Sequence, residues 1–570
     1  MKFLFKYLQP HLIGMCLGLF IKITGTLMDL CIPYILEHII DVIVPSENTN
    51  QILLWGCLML MCSVIGLVGN IVANRMAAAV ARDTTRDIRH DLFHRISYLS
   101  PRQLDEISIP TLETRLTSDT YNIHHMVGMM QRLGVRAPIL LIGGIAVTFS
   151  MEPVMALVLV SVLPFITAAV FLISRKGIPL FRKLQQATDR MVGIVRETAQ
   201  GIRVIKALSK TEYERQKFDQ KNREVSAVEQ KSGIMMAITN PLMSAFLNVG
   251  MAAVILVGAY RVQGGQADPG MILSFMSYFT LILNAMLSIT RMFTLYSKGS
   301  ASATRVAEII AVPYDLTVEE GKRENNGAYL EFRDVSFSYN GRTDTLSDIS
   351  FTLQRGQTLG IIGATGSGKS TLIQLLLRFY DVNRGKILVD GYDVRTLQPS
   401  ELRSRFGTVL QNDFIYAGTL LDNIDFGRGI DQMAAELAAE PAQAAEFIKT
   451  LSDGYEHHLN TKGTNLSGGQ KQRVLIARAL ATKPDILILD DSSSALDYRT
   501  DARLRAALRQ QFAETTKIIV AQRVSSIAHA DRILVLDHGR IVGDGTHETL
   551  LHSCPIYAEI SHSQIGGDIS

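Results

Sequence analysis

Cysteine is scarce in this 570-residue chain: Cys16, Cys31, Cys57 and Cys62 sit inside apolar segments, and the fifth, Cys554, stands alone near the C-terminus. No pair has disulfide or zinc-ligand spacing, so neither a stapled secreted fold nor a structural zinc site is expected, and the thiols read as small buried hydrophobes. An excess of one charge is missing too. Lys and Arg number 57 against 54 Asp and Glu, a net charge of +3, which supplies no basic surface for nucleic acid; binding of DNA or RNA is not expected. No small-residue cleavage site follows the first apolar stretch after Lys2 and Lys6, so a removed signal peptide is not expected either. Finally, long apolar runs are absent beyond about residue 300, although 47% of the chain is apolar. The hydrophobicity is therefore concentrated in one half, which predicts a membrane part followed by a soluble α/β part.

In the first half, six segments are long and apolar enough to cross a bilayer core of about 30 Å: Leu12–Leu36, Ile52–Val72, Gly134–Ser150, Met155–Ile173, Ile234–Tyr260 and Gly270–Phe293. The connection Arg75–Met126 carries seven Lys and Arg, and Arg175–Lys231 carries fourteen, whereas the three short loops hold only Arg261. By the positive-inside rule both long connections, and with them both termini, are predicted to be cytoplasmic in a cell-membrane protein. Their charges fall at helical spacing, so the connections read as helices extending past the bilayer. Their tips are either solvated hairpins or levers docked on the second half, with Thr114–Ile123 and Ser209–Phe218 as the expected contacts.

Several polar residues interrupt the spans. Lys22 and Asp29 are seven residues apart, on roughly one helical face, and intramembrane charges mark functional sites by default. Snorkelling by Lys22, with Asp29 paired to it or facing a water-filled cavity, is the plainer alternative. Asn240, Asn248 and Asn284 either line a cavity or bond between helices. Met235, Met236, Met243, Met251, Met271, Met276 and Met286 suit an adaptable cavity or ordinary lipid-facing packing equally.

Gly299–Ala328 turns polar and reads as a linker between a transmembrane domain (1–298) and a second domain (329–570). The strand Thr358–Ile362 runs straight into Gly363-Ala364-Thr365-Gly366-Ser367-Gly368-Lys369-Ser370-Thr371 and a helical run. This is a P-loop in its strand, loop, helix setting. Backbone N–H groups wrap phosphates, the helix N-terminus adds partial positive charge, Lys369 reaches the β- and γ-phosphates, and Ser370 is placed to ligate Mg²⁺. ATP and Mg²⁺ are the cofactors this predicts. The apolar run Ile486–Leu489 reads as a buried parallel strand, and Asp490 at its C-terminal end is a second Mg²⁺ ligand.

Between these elements stands Leu466-Ser467-Gly468-Gly469-Gln470, followed by a basic helix. It resembles the signature of ABC ATPases, and six spans ahead of such a domain resemble an ABC exporter half-transporter. The resemblance implies further roles. Tyr339 matches the aromatic that stacks on adenine, Gln411 the glutamine near Mg²⁺, and Ser494-Ala495-Leu496-Asp497 the D-loop. It also implies two ATPase domains sandwiching two ATPs, each between one chain's P-loop and the other chain's signature, here Leu466, Ser467, Gly468, Gly469 and Gln470. The expected fold is a helical six-span domain plus an α/β P-loop ATPase domain.

Two positions depart from that pattern. Asp491 stands where the family has a glutamate that polarises the attacking water, and Gln522 stands where it has a switch histidine. Asp is one methylene shorter, and a misplacement of about an ångström costs on the order of 10²-fold. Gln donates a hydrogen bond but brings no cation to the transition state. Asn460-Thr461-Lys462-Gly463 departs as well, where relatives carry an acidic and an Arg residue. The altered pair resembles the subunit with the degenerate ATP site in heterodimeric multidrug-type exporters. That implies a partner half-transporter, an amphiphilic substrate such as a drug, lipid or peptide, and slow hydrolysis at this chain's own site. A slow homodimer, an exporter-type fold importing a metal–siderophore complex, and an ATP-gated regulatory membrane protein are the alternatives.

Overall fold

The computed structural model describes residues 2–324 and 327–565; Met236 and Asn240 lie outside the residues whose side chains are described. Internal contacts divide the chain into two units, Met1–Ser97 with Ile109–Val312, and Tyr98–Ser108 with Pro313–Ser570.

The first unit is helical. Among the described residues six helices are long and apolar enough to cross a membrane, within Lys2–Ser46, Thr49–Ser97, Ile109–Met151, Pro153–Gln200, Pro241–Gln263 and Pro269–Ile310. Thr49–Ser97 has 49 residues and Pro153–Gln200 has 48. At 1.5 Å per residue each is roughly 70 Å long, more than twice the apolar core, so the charged connections continue the spans as helix. The fifth span starts later than Ile234. Helix breaks between Ala237 and Thr239, and Pro241 sits in the first turn of Thr239–Gln263, where a missing N–H leaves no bond unmade. The last helix continues past Gly299 to Ile310, so the polar stretch read as linker begins as helix.

Polar contacts join these helices. Buried Asp119 accepts from Ser302 Oγ at 2.8 Å, from Arg305 Nε at 3.0 Å and from Arg115 Nη1 at 3.0 Å. Glu152 accepts from Val154 N–H at 2.7 Å, capping Pro153–Gln200, and pairs with Arg261, the single cation of the short loops. Leu12–His38 and Thr49–Ser97 approach closely where Gly25 faces the Gly66 carbonyl, since a side-chain carbon at Gly25 would lie 3.3 Å from that oxygen. Lys22 neither snorkels nor pairs with Asp29. Its ammonium is buried against Asn70 Oδ1 at 2.7 Å and Asn74 Oδ1 at 3.0 Å, while Asp29 pairs with Arg136 at 3.1 Å. Helical spacing put the two residues on one face; the second and third spans supplied nearer partners.

The second unit is built on a six-stranded sheet in the order Arg540–Gly545, Arg532–Asp537, Thr358–Gly363, Thr516–Val520, Ile486–Asp490, Phe406–Val409. All neighbours are parallel except the first pair. Ile486–Asp490 is buried throughout, which is why it reads as an unbroken apolar run rather than an alternating one. A smaller antiparallel sheet carries Leu346–Leu353, Leu330–Phe337, Arg384–Val389 and Tyr392–Asp393. Its inner face stacks Phe332 on Phe351 at 4.6 Å between ring centres.

By internal contacts the first long connection is divided between the two units. Thr114–Ile123 belongs to the membrane unit, as does Ser209–Phe218, and Tyr98–Ser108 joins the second unit. The local reason is a capping box. Ser100 accepts from Gln103 N–H at 3.2 Å, Gln103 Oε1 accepts from Ser100 N–H at 3.3 Å, and Pro101 opens the helix Pro101–Ile107. The chain therefore turns here, whereas Thr114–Ile123 passes through one widened helical turn, Arg115–Asp119, into Thr120–Met151.

Candidate functional site

The parallel strands place their C-terminal ends side by side, and the phosphate-type loop grows from one of them. Thr358–Gly363 ends in the glycine-rich loop, and Lys369–Leu376 starts directly after it. Gly368 is left-handed with φ of 100°, and a side-chain carbon there would lie 2.5 Å from Leu346 Cδ2. Both the backbone and the space demand glycine. Lys369 folds over its own loop, donating to Gly363 O at 2.9 Å and to Ala364 O at 2.8 Å, with Ser367 Oγ at 3.4 Å.

A cavity of about 690 Å³ opens above this loop. It is lined by Gly363–Gly366, Gly368–Thr371, Gln411, Asp490, Asp491 and Gln522, so residues spread over more than 150 positions meet at one place. Burial pulls the Lys369 ammonium below the usual lysine range, against the pull of Asp490 and Asp491. Burial pushes the Asp490 carboxyl up; the hydrogen bond with Ser370 opposes this, Asp491 adds to it and Lys369 subtracts. Asp491 is pushed up by burial too, with Lys369 and Arg523 opposing. Ser370, Gln411 and Asp490 are hard oxygen donors, and no cluster of three His, Cys, Asp or Glu occurs among the described residues. Such a set suits Mg²⁺ held with phosphate oxygens and water, not a closed all-protein cage.

Asp491 is itself left-handed, with φ of 53°, a conformation Asp tolerates better than most residues. Its N–H donates to Val520 O at 3.0 Å, which ties it to the neighbouring strand. Gln522, just past that strand, donates from Nε2 to Asp491 Oδ2 at 2.9 Å. The two residues that depart from the expected pattern thus touch.

Two of the sequence-predicted elements lie elsewhere. Leu466–Gln470 does not line this cavity: Ser467 caps the helix Gly468–Leu480, accepting from Gln470 N–H at 3.3 Å while its own N–H donates to Gln470 Oε1 at 2.8 Å. Ser467 and Gly468 face outward at the positive end of a 13-residue helix. Tyr339 stands beside the helix after the loop, its hydroxyl donating to Gln374 Oε1 at 2.5 Å and lying 3.2 Å from Thr371 Oγ1. Its ring packs edge-on against Phe337 and Tyr380 and is half exposed.

Residues 15–286 match the family model of the ABC transporter transmembrane region, and residues 346–494 match the model described as ABC transporter. An uncharacterized ABC transporter ATP-binding protein of Mycobacterium tuberculosis is 35% identical over 567 residues, 98% of this chain and 97% of that one. The chain belongs to the ABC transporter family. A second relative of this transporter, an uncharacterized ABC transporter ATP-binding protein of Bacillus subtilis, is 31% identical over 98% of both chains. A third, a fatty acid ABC transporter ATP-binding/permease protein of Mycobacterium bovis, is 31% identical over 82% of this chain and 74% of its own length. In fold, the transporter matches a bacterial Atm1-family ABC exporter solved with ATP bound, with a TM-score of 0.82 over 99% of both chains at 24% identity.

Sequence reasoning missed two features of the ATPase unit. In the C-terminal helix Pro555–Ile565, the Gln564 side chain accepts from Val524 N–H at 2.8 Å and donates to Gln522 O at 2.8 Å, gripping the backbone around Gln522. No motif announces a lone glutamine. The second is the seat of Pro101–Ile107. Ser100 Oγ donates to Asp315 at 2.7 Å, Gln103 Nε2 to Pro313 O at 2.8 Å, and Tyr380 OH to Asp105 Oδ2 at 2.6 Å. Its signal was present in Ser100-Pro101-Arg102-Gln103, a readable helix start.

Proposed function

We propose that this ABC transporter works as one half of a heterodimeric exporter in the cell membrane, with both termini in the cytoplasm, driving an amphiphilic solute outward with ATP and Mg²⁺. Its own P-loop site hydrolyses slowly, and its signature, Leu466–Gln470, serves the partner's ATP. The observation that carries this reading is the 2.9 Å contact from Gln522 to Asp491. A general base must reach its water with a free lone pair. Here the carboxylate is one methylene short, and one of its oxygens is already engaged by the neutral Gln522 amide. The same amide brings no charge to the γ-phosphate, where developing negative charge is normally offset.

The remaining roles follow. Lys369 and the loop N–H groups of Gly363–Thr371 hold the phosphates, Ser370, Asp490 and Gln411 hold Mg²⁺, and Tyr339 serves the adenine. The domains are assigned as 1–298, 299–328 and 329–570. The exposed, helix-capping signature supports action on another chain's nucleotide, since it lies off this chain's own cavity. A relative named as a fatty acid transporter supports an amphiphile as cargo. Phosphate release by the purified chain alone tests the reading. It should be far below that of the chain with its partner, and Asp491→Glu combined with Gln522→His should raise the lone chain's rate by about 10²-fold. Fast, substrate-stimulated turnover by the unaltered lone chain would sink the heterodimer.

A further inference from the structure

Lys22 is 3% exposed and stands ten residues after Leu12, roughly 15 Å along its helix, about halfway through an apolar core. Its two hydrogen-bond acceptors, Asn70 and Asn74, are neutral. The nearby carboxylate, Asp29, is engaged by Arg136 at 3.1 Å and approached by Asn70 Nδ2 at 3.5 Å. Arg136 Nε is buried with no hydrogen-bond partner in the structure. One turn earlier on the same helix Arg132 donates to Gly128 O at 3.0 Å, and both arginines bear electrostatically on Lys22. Three cations therefore share one carboxylate inside a membrane domain.

An excess of two positive charges in low dielectric is costly unless something balances it. Ordinary helix packing does not need it, because Asn70 and Asp29 would bridge the first two helices with one cation fewer. Arg136 offers a planar guanidinium, the geometry that meets a carboxylate or phosphate through two oxygens. Its side chain is 40% exposed, so an anion can reach it. We infer that Lys22, Arg132 and Arg136 form the headgroup site for an anionic amphiphile, an acyl chain ending in a carboxylate or phosphate. The inference rests on the reading of the chain as an amphiphile exporter and names the charge of its cargo.

Binding, not transport, tests it. The full chain is placed in phosphatidylcholine nanodiscs and titrated with radiolabelled dodecanoate. Saturable binding should be displaced by dodecyl phosphate and not by dodecyltrimethylammonium. Arg136→Gln and Lys22→Gln should each weaken it by about tenfold or more, as loss of a charge-assisted contact does, and Asp29→Asn should tighten it severalfold. ATP retention checks that each variant is folded. Equal displacement by the cationic probe, or no saturable site in the unaltered chain, overturns the proposal without need of any variant. So does full displacement by phosphatidylglycerol that co-purifies with the chain, which would make the site a lipid anchor. Because no turnover or partner enters the assay, dodecanoate can fail to bind while export stands, and export can fail while dodecanoate binds.

Discussion

Gln522 donates to Oδ2 of Asp491 across 2.9 Å, and Gln564 accepts and donates on either side of Gln522 along the backbone, at Val524 N–H and at Gln522 O. The short carboxylate, the uncharged amide and the C-terminal helix thus form one connected set.

From this contact comes an order of severity in the complex with the partner. Asp491→Asn keeps an oxygen to accept from Gln522, so the local geometry survives and phosphate release should fall only mildly. Ser467→Arg removes the cap of Gly468–Leu480, costing about 1 kcal/mol of helix stability, and places a bulky cation at the exposed signature. Phosphate release at saturating ATP should drop severely. If Asp491→Asn silenced the complex as fully, this chain's own site would be the working one.

Asp490 supplies a pH dependence with a definite sign. Its pKa is raised, chiefly by burial, so it takes up a proton at a higher pH than a free aspartate does. Once ionised it destabilises the fold, and acidification through its folded pKa relieves that cost. If Asp490 holds Mg²⁺ as proposed, the same protonation removes a ligand. Mg²⁺-dependent retention of a fluorescent ATP analogue should therefore decline on acidification while the chain is still folded, beginning above the usual aspartate range. Asp490→Asn should be weak at every pH and flat over that window.

Tyr380 tests the seat of Pro101–Ile107. Burial and the hydrogen bond with Asp105 push the Tyr380 hydroxyl well above the ordinary tyrosine range, so it stays a donor throughout physiological pH. Tyr380→Phe deletes that one bond and should cost about 1 kcal/mol. ATP binding should be unchanged, whereas substrate stimulation of hydrolysis should weaken. Undiminished stimulation would show that the bond to Asp105 transmits nothing.

Periodicity, charge bias and local motifs make much of this protein legible in its sequence. Six apolar runs, a glycine-rich loop between strand and helix, and a buried strand ending in Asp490 are each encoded by neighbours in the chain, because membrane burial, loop conformation and sheet burial act on short segments. The two altered residues are legible for the same reason, each standing in a recognisable local frame. What lies between distant segments is not. Lys22 and Asp29 share a helical face, yet Asn70, Asn74 and Arg136 took them as partners, a choice made by which faces of the first three spans meet. Tyr98–Ser108 groups with the ATPase unit because Asp105, Ser100 and Gln103 find Tyr380, Asp315 and Pro313 more than 200 residues away. Sequence alone determined which of these elements form. Only packing decided their partners, because hydrogen bonds and ion pairs between distant segments depend on a geometry that exists only once those segments have come together.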